Sequence, residues 1–257
     1  MGVPAPIPPK VVVFDLDDTL CGYWNAARYG LKRAFEVHSE TGKTPEEMLA
    51  LWGEEFGGLV KELSQPRWYS KYCQSGETTR RELMKRVLAR LEIRDVQLVQ
   101  DMSDTYYIER HGALELFPES IETLEELKGR FRLAMITNGP ADIQRQEIET
   151  LQIGHYFDPV LIEGEMGMGK PNPEVMNRLE SLTDAKGEEI LMVGNSFGHD
   201  VKPAQAAGWR TVWIRRPSDV APSSRTGKPE EMPEEATPPD FIIHDLRELY
   251  AEGGPCA

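Results

Sequence analysis

The sequence predicts an α/β fold, a doubly wound, Rossmann-like parallel sheet with an inserted all-helical domain, and three observations carry that expectation. The run Val11-Val12-Val13-Phe14 is β-branched and aromatic without polar alternation, as a parallel strand covered on both faces requires. Similar apolar runs recur at Phe131 to Ile136, Ile190 to Val193, Thr211 to Ile214 and Phe241 to Ile243, all but the last separated by stretches of helical period. Between the first run and the next lies a predominantly helical block, about Tyr23 to His111. At 257 residues the chain can hold one large domain, or one domain carrying a smaller insert.

Taken in order, residues 1 to 9 hold four prolines and read as an extended, flexible leader before a first strand at Lys10 to Asp15. In the helical block, Trp24, Ala27, Leu31, Ala34 and Phe35 line one face of a first helix, and Leu83, Met84, Val87, Leu88 and Leu91 do so in a later one. Core packing accounts for these stripes. Ile121, Leu124 and Leu127 form the apolar face of a helix that ends near Gly129, and a further helix spans Ala141 to Leu151. Asn172 caps a helix with Pro173 at its first position and Val175, Met176, Leu179 and Leu182 as its buried stripe. Gly208 marks the exit of the helix between the last two long strands. Arg216 to Pro239, rich in Pro, Ser and Glu, reads as an exposed loop before the final strand. The expected division is a core of residues 10–21 and 113–250, a helical insert 22–112, an exposed loop 216–239 and a flexible tail 251–257.

The charge balance excludes some partners. With 29 Lys and Arg against 43 Asp and Glu, the formal charge is −14, and no dense basic run offers a nucleic-acid footprint. Neither an apolar stretch of about 18 residues nor a basic-then-apolar N-terminus appears, so no membrane partner and a cytoplasmic location are expected. Cys21, Cys73 and Cys256 lack metal-ligand spacing and are expected to be free thiols.

Chemistry-bearing residues cluster where strands end. In a doubly wound sheet, ligands belong at the carboxyl ends of the strands. Asp15 and Asp17 follow the first strand two residues apart, so an extended backbone directs both toward one side of the sheet's mouth. One can attack phosphorus and hold Mg²⁺ while the other exchanges a proton with the leaving group and then with water. Thr137-Asn138-Gly139 follows the second apolar run, where a hydroxyl and backbone N–H groups can hold phosphoryl oxygens and Gly139 permits close backbone approach. Lys170 precedes the helix capped by Asn172 and can neutralise phosphate charge while orienting the nucleophilic carboxylate. Asn195 and Asp200, after the run ending at Val193, supply side-chain oxygens suited to an octahedral magnesium site. Alone, such elements are more often a turn, a cap or a solvated loop. Their joint order on successive strand ends is what points to catalysis.

That ordered set resembles the haloacid dehalogenase superfamily over nearly all of residues 10 to 250. The resemblance implies an aspartyl-phosphate on Asp15, Asp17 as general acid and base, and Thr137 and Lys170 stabilising the phosphoryl group. It further implies that Mg²⁺ is held by Asp15, the backbone oxygen of Asp17 and the Asn195/Asp200 motif, and that the helical insert is a cap closing over a small substrate. Asn195 departs from the pattern, since many relatives carry Asp there; an amide can still offer its carbonyl oxygen, with less attraction for the cation.

A small phosphomonoester is therefore the expected substrate, a sugar phosphate and a nucleoside monophosphate fitting equally well. A dehalogenase is disfavoured, because departing halide needs no acid and Asp17 would be idle. A phosphomutase and a binding protein with a weakened site stay open, the latter supported by Asn195 alone. Tyr23, Trp24, Asn25 and Arg28 at the start of the insert are placed where they can face the site, but for each a packing or solvated role is the favoured expectation. The sequence carries no sign of oligomeric state.

Overall fold

The computed structural model describes residues 8–63, 65–224 and 226–257, so the leader expected over residues 1 to 9 lies almost wholly outside the described residues. Six parallel strands form one sheet: β1 Val11–Phe14, β2 Arg132–Thr137, β3 Val160–Ile162, β4 Ile190–Gly194, β5 Arg210–Ile214 and β6 Phe241–Ile243. Their order is β3-β2-β1-β4-β5-β6. β1 is central, with Val11 in register with Arg132 on one side and Ile190 on the other. All four of its residues are buried, which explains the unbroken apolar run. Successive side chains of a strand point to opposite faces. Accordingly Val12 and Phe14 pack in one core with Leu191 and Val193, while Val11 and Val13 pack in another with Ile190 and Met192.

The insert after β1 is helical: α1 Tyr23–Val37, α2 Pro45–Leu63, α3 Pro66–Gln74, α4 Gly76–Ala89 and α5 Val96–Gly112. It has a core of its own, built from Leu31 and Phe35 of α1, Met48 and Trp52 of α2, Leu83, Met84, Val87 and Leu88 of α4, and Met102 of α5. Gly30 lets α1 and α5 meet closely, since a Cβ there would lie 2.7 Å from the Arg110 nitrogen. After the insert come α6 Ser120–Lys128, α7 Ala141–Thr150, α8 Glu163–Met166, α9 Pro173–Thr183 and α10 Lys202–Ala206, with a π-helical turn at Phe197–Val201. Asn172 caps α9 by accepting from the Glu174 N–H, with Pro173 at the first position.

Four expectations are corrected. Ile121 is 41% exposed, because the buried face of α6 runs through Ser120, Thr123, Leu124 and Leu127 and Ile121 lies about 100° round from it. Leu182, in the last turn of α9, is also exposed. The segment 216–239 is not simply an exposed loop, since its first part is pinned to the interior by Arg216. That buried guanidinium donates to the Thr19 carbonyl at 3.0 Å, pairs with Glu119 at 2.8 Å and lies 3.5 Å from the centre of the Phe117 ring. The insert also touches this segment, with Arg28 donating to the Val220 carbonyl and Gly53 so close to Pro222 that a Cβ would sit 2.5 Å from its oxygen. Finally, the tail packs back on the core: Cys256 is buried, its N–H donates to the Leu249 carbonyl at 2.8 Å, and its own carbonyl accepts from Arg130. The short strand β3 was not foreseen, as three residues carry too little pattern to distinguish strand from loop.

Candidate active site

The carboxyl ends of β1, β2 and β4 converge beneath the helical insert and frame a cavity of about 600 Å³. Asp15, Asp17, Asn138, Gly139, Lys170, Asn195 and Asp200 line it from the sheet side, and Tyr23, Trp24, Trp52, Phe56, Tyr72 and Arg80 line it from the insert. Thr137 is buried just behind. The sequence-derived candidates, scattered over some 185 positions, are thus brought to one place. Of the four insert residues at its entry, Tyr23 and Trp24 reach the cavity, Arg28 is spent on Val220, and Asn25 is exposed.

Asp15 directly follows β1, and its N–H continues the sheet ladder to the Val193 carbonyl at 3.0 Å. Lys170 reaches across from the loop before α9: its Nζ donates to Asp15 Oδ1 at 2.7 Å, to Asp200 Oδ1 at 2.5 Å and to the Ile136 carbonyl at 2.8 Å. All three donor positions are therefore used. Burial disfavours charge on that amine, yet Asp15 and Asp200 outweigh it and hold Lys170 protonated well above its ordinary range. Burial pushes Asp15 up to about 6, with Lys170 opposing and Asp200 adding to the rise. Thr19 donates from one hydroxyl to Asp15 Oδ2 and to Asn195 Oδ1, each at 3.2 Å, which ties the first and fourth motifs together.

Asp17 is half-buried, its carboxyl facing the cavity beside a chain of polar groups that sequence reasoning missed. Gln144 Nε2 donates to Asp17 Oδ2 at 3.2 Å and to Glu147 Oε2 at 3.1 Å, while its Oε1 accepts from the Thr137 hydroxyl at 2.5 Å. Arg110, from α5, closes the chain with a buried ion pair to Glu147 at 2.6 Å. Desolvation, then the negative charges of Glu147, Asp15 and Asp18, hold Asp17 well above the usual carboxylate range, with Arg110 opposing. A signal for these partners did exist, because Gln144 and Glu147 sit three apart on the face of α7 that also buries Ile143 and Ile148.

Some candidates already have partners. The Asn138 side chain is wholly engaged with the Lys170 backbone, giving its Nδ2 to the carbonyl at 2.7 Å and accepting the N–H at 2.8 Å. The Gly139 N–H donates to Glu163 Oε2 at 2.9 Å, and Glu163 is held in turn by the hydroxyls of Tyr69 and Tyr72 at 3.0 and 3.3 Å. Asp200 uses one oxygen for Lys170 and the other for the Ser196 N–H at 2.9 Å. Gly194 lies so close that a Cβ there would meet the Asp200 carboxyl at 2.3 Å.

Among the described residues, no group of three or more His, Cys, Asp or Glu side chains is arranged to hold a metal ion. The donors that do face one another are of a different kind, one carboxylate of Asp15 and one amide oxygen of Asn195 on a shared hydroxyl. Close by, burial pushes Asp18 up to about 8, with Asp219 adding, and pushes Asp219 up to about 6. An all-oxygen donor set among acidic side chains fits a hard divalent cation such as Mg²⁺.

Residues 9–208 match the model of the haloacid dehalogenase-like hydrolases. The chain belongs to this family. The phosphoserine phosphatase of Thermus thermophilus is 29% identical to it over 257 aligned residues, covering 94% of this chain and 98% of that protein. A glyceraldehyde 3-phosphate phosphatase of Methanopyrus kandleri is 30% identical, covering 93% and 95%. The fold is shared with the hydrolase YfnB of Bacillus subtilis, whose crystal structure is bound to magnesium, at a TM-score of 0.70 and 21% identity over 95% of this chain and 98% of that one. Both the Rossmann-like fold with its helical insert and the hydrolase class expected from the sequence are met. No described helix is long and apolar enough to cross a membrane.

Proposed function

We propose that this phosphoric monoester hydrolase cleaves a small, soluble phosphomonoester through an aspartyl-phosphate on Asp15. The observation that carries the reading is Lys170 bridging Asp15 and Asp200 at 2.7 and 2.5 Å beside Asp17, whose carboxyl burial holds above its ordinary range, at the strand ends and under the helical cap. Asp15 Oδ attacks phosphorus, the bond from phosphorus to the ester oxygen breaks, and Asp17 gives its proton to the departing alkoxide. Asp17, now a carboxylate, takes a proton from water as that water attacks phosphorus, releasing inorganic phosphate and restoring Asp15. Lys170 balances negative charge at the reacting centre throughout, and Asp200 and Asn138 keep it in place from its side chain and its backbone. Asn138 thus moves from substrate contact to positioning, and Asp200 from metal ligand to partner of Lys170. Thr137 is kept as a phosphoryl ligand in this scheme by turning its one hydroxyl proton from Gln144 Oε1 to a phosphoryl oxygen. A bound Mg²⁺, held by Asp15, the Asp17 carbonyl and Asn195, would supply neutralising charge to the phosphoryl oxygens.

The cap, residues 22–112, would exclude bulk water from the cavity. A space of about 600 Å³ suits a sugar phosphate or a nucleoside monophosphate, and the relatives named for phosphoserine and glyceraldehyde 3-phosphate support the smaller end of that range. Such substrates are cytoplasmic metabolites, which is where we place the protein. The test is phosphate release from a panel of phosphomonoesters with Mg²⁺ or with chelator, with product analysis on a bisphosphate to separate hydrolysis from phosphoryl return. Metal-dependent release from a small ester is expected. Conversion of the bisphosphate without release would point to a mutase, and silence across the panel would contradict the proposal.

A further inference from the structure

An amide side chain has two ends, and only its oxygen can ligate a cation. Asn195 therefore needs something to fix which end faces Asp15. In the structure Asn195 Nδ2 donates to Asp219 Oδ2 at 2.9 Å, while Asn195 Oδ1 faces the Thr19 hydroxyl that also reaches Asp15. A carboxylate oxygen accepts hydrogen bonds and does not donate them, so Asp219 admits only the nitrogen end. The oxygen is thereby turned toward Asp15. Asp219 is itself well placed for this, although it lies in the segment that composition marks as exposed loop. Its N–H donates to the Arg216 carbonyl at 3.2 Å, and Arg216 is anchored by Thr19 and Glu119; the next residue, Val220, is held by Arg28 of the cap.

We infer that Asp219 is the positioning residue of the metal site, locking the Asn195 amide with its oxygen toward the cation and supplying nearby the negative charge that Asn195 lacks. The inference rests on the magnesium reading above. It explains how an Asn can stand where a carboxylate is usual, because a carboxylate at residue 195 would meet Asp219 as a like charge. Asp219 belongs, in this account, with Asn195 as a pair.

The test is calorimetric titration of Mg²⁺ into the metal-free full chain, without substrate, with melting temperatures in chelator to verify folding of each variant. Asp219→Ala should weaken Mg²⁺ binding about tenfold, as loss of an outer partner of a ligand does. Asp219→Asn, whose carbonyl oxygen still accepts, should weaken it less. In an Asn195→Asp background Asp219→Ala should weaken binding much less, since a carboxylate can ligate through either oxygen and needs no partner to choose its end. Unchanged affinity in Asp219→Ala while Asn195→Ala is weakened would overturn the inference, as would equal weakening in both backgrounds. Unchanged affinity in Asn195→Ala would instead remove the magnesium reading on which it rests.

Discussion

Replacing Arg110 by Met takes away the cation that holds Glu147 in the interior. The pair spans the cap and the core, from α5 to α7, with the two side chains 5% and 0% exposed and 2.6 Å apart. Without Arg110, Glu147 keeps Gln144 at 3.1 Å as a donor and faces the acidic Asp17. Leaving one member of a buried pair uncompensated costs about 3–5 kcal/mol. In domains of nearly this size each kcal/mol lowers the melting temperature by about 2–4 °C, so a loss of roughly 6–20 °C is expected at pH 8. The pH dependence has a definite sign. Burial already raises Glu147, Arg110 opposes that rise, and losing Arg110 raises it further. An acid raised in the folded state contributes stability that is present below its unfolded value and is lost as pH climbs through its folded value. The deficit of Arg110→Met should therefore shrink toward pH 5, where Glu147 can take up a proton. Adding Glu147→Gln should recover most of the loss at pH 8. Melting curves of the three proteins between pH 5 and 8 measure all of this. A deficit that is flat with pH and untouched by the second change would mean that Arg110 acts through packing and that the buried charge argument is wrong.

Two further substitutions address the site itself. Asp17→Asn should lose turnover by about 10²-fold or more on alkyl phosphates and far less on nitrophenyl phosphate, which needs no acid; equal losses on both, where chemistry limits the rate, would count against proton transfer by Asp17. Gly194→Ala would drive a Cβ to within 2.3 Å of the Asp200 carboxyl and push it off Lys170, so stability should fall by about 1–3 kcal/mol and turnover with it. Wild-type rate and melting temperature in that variant would show that the contact between β4 and Asp200 is dispensable.

Much of this was legible because strand ends and polar residues coincide in the sequence. Val11 to Phe14 could only be a strand covered twice over, and Asp15 and Asp17 had then to stand at its mouth. Thr137, Lys170, Asn195 and Asp200 followed by the same logic. What the sequence hid was the division of labour among them. Asn138 looks like a phosphate ligand until the fold spends both ends of its amide on Lys170, a pairing across 32 positions that no local pattern encodes. Arg110 and Glu147 were hidden for the same reason, each lying on a helix whose period explains it, with the partner 37 positions away. Composition misled over Arg216 to Val220, where Pro, Ser and charge read as solvent-exposed although one buried arginine and one carboxylate tie the segment to the site.

The central claim, that Asp15 takes the phosphoryl group, is tested most directly by rapid acid quench of the protein turning over a phosphate-labelled substrate with Mg²⁺, followed by mapping of the label. The account predicts an acid-stable, hydroxylamine-labile phosphoryl group on the peptide containing Asp15, formed and consumed at rates compatible with turnover and absent from Asp15→Asn. Steady release of phosphate with no label on that peptide, together with undiminished turnover in Asp15→Asn, would contradict it.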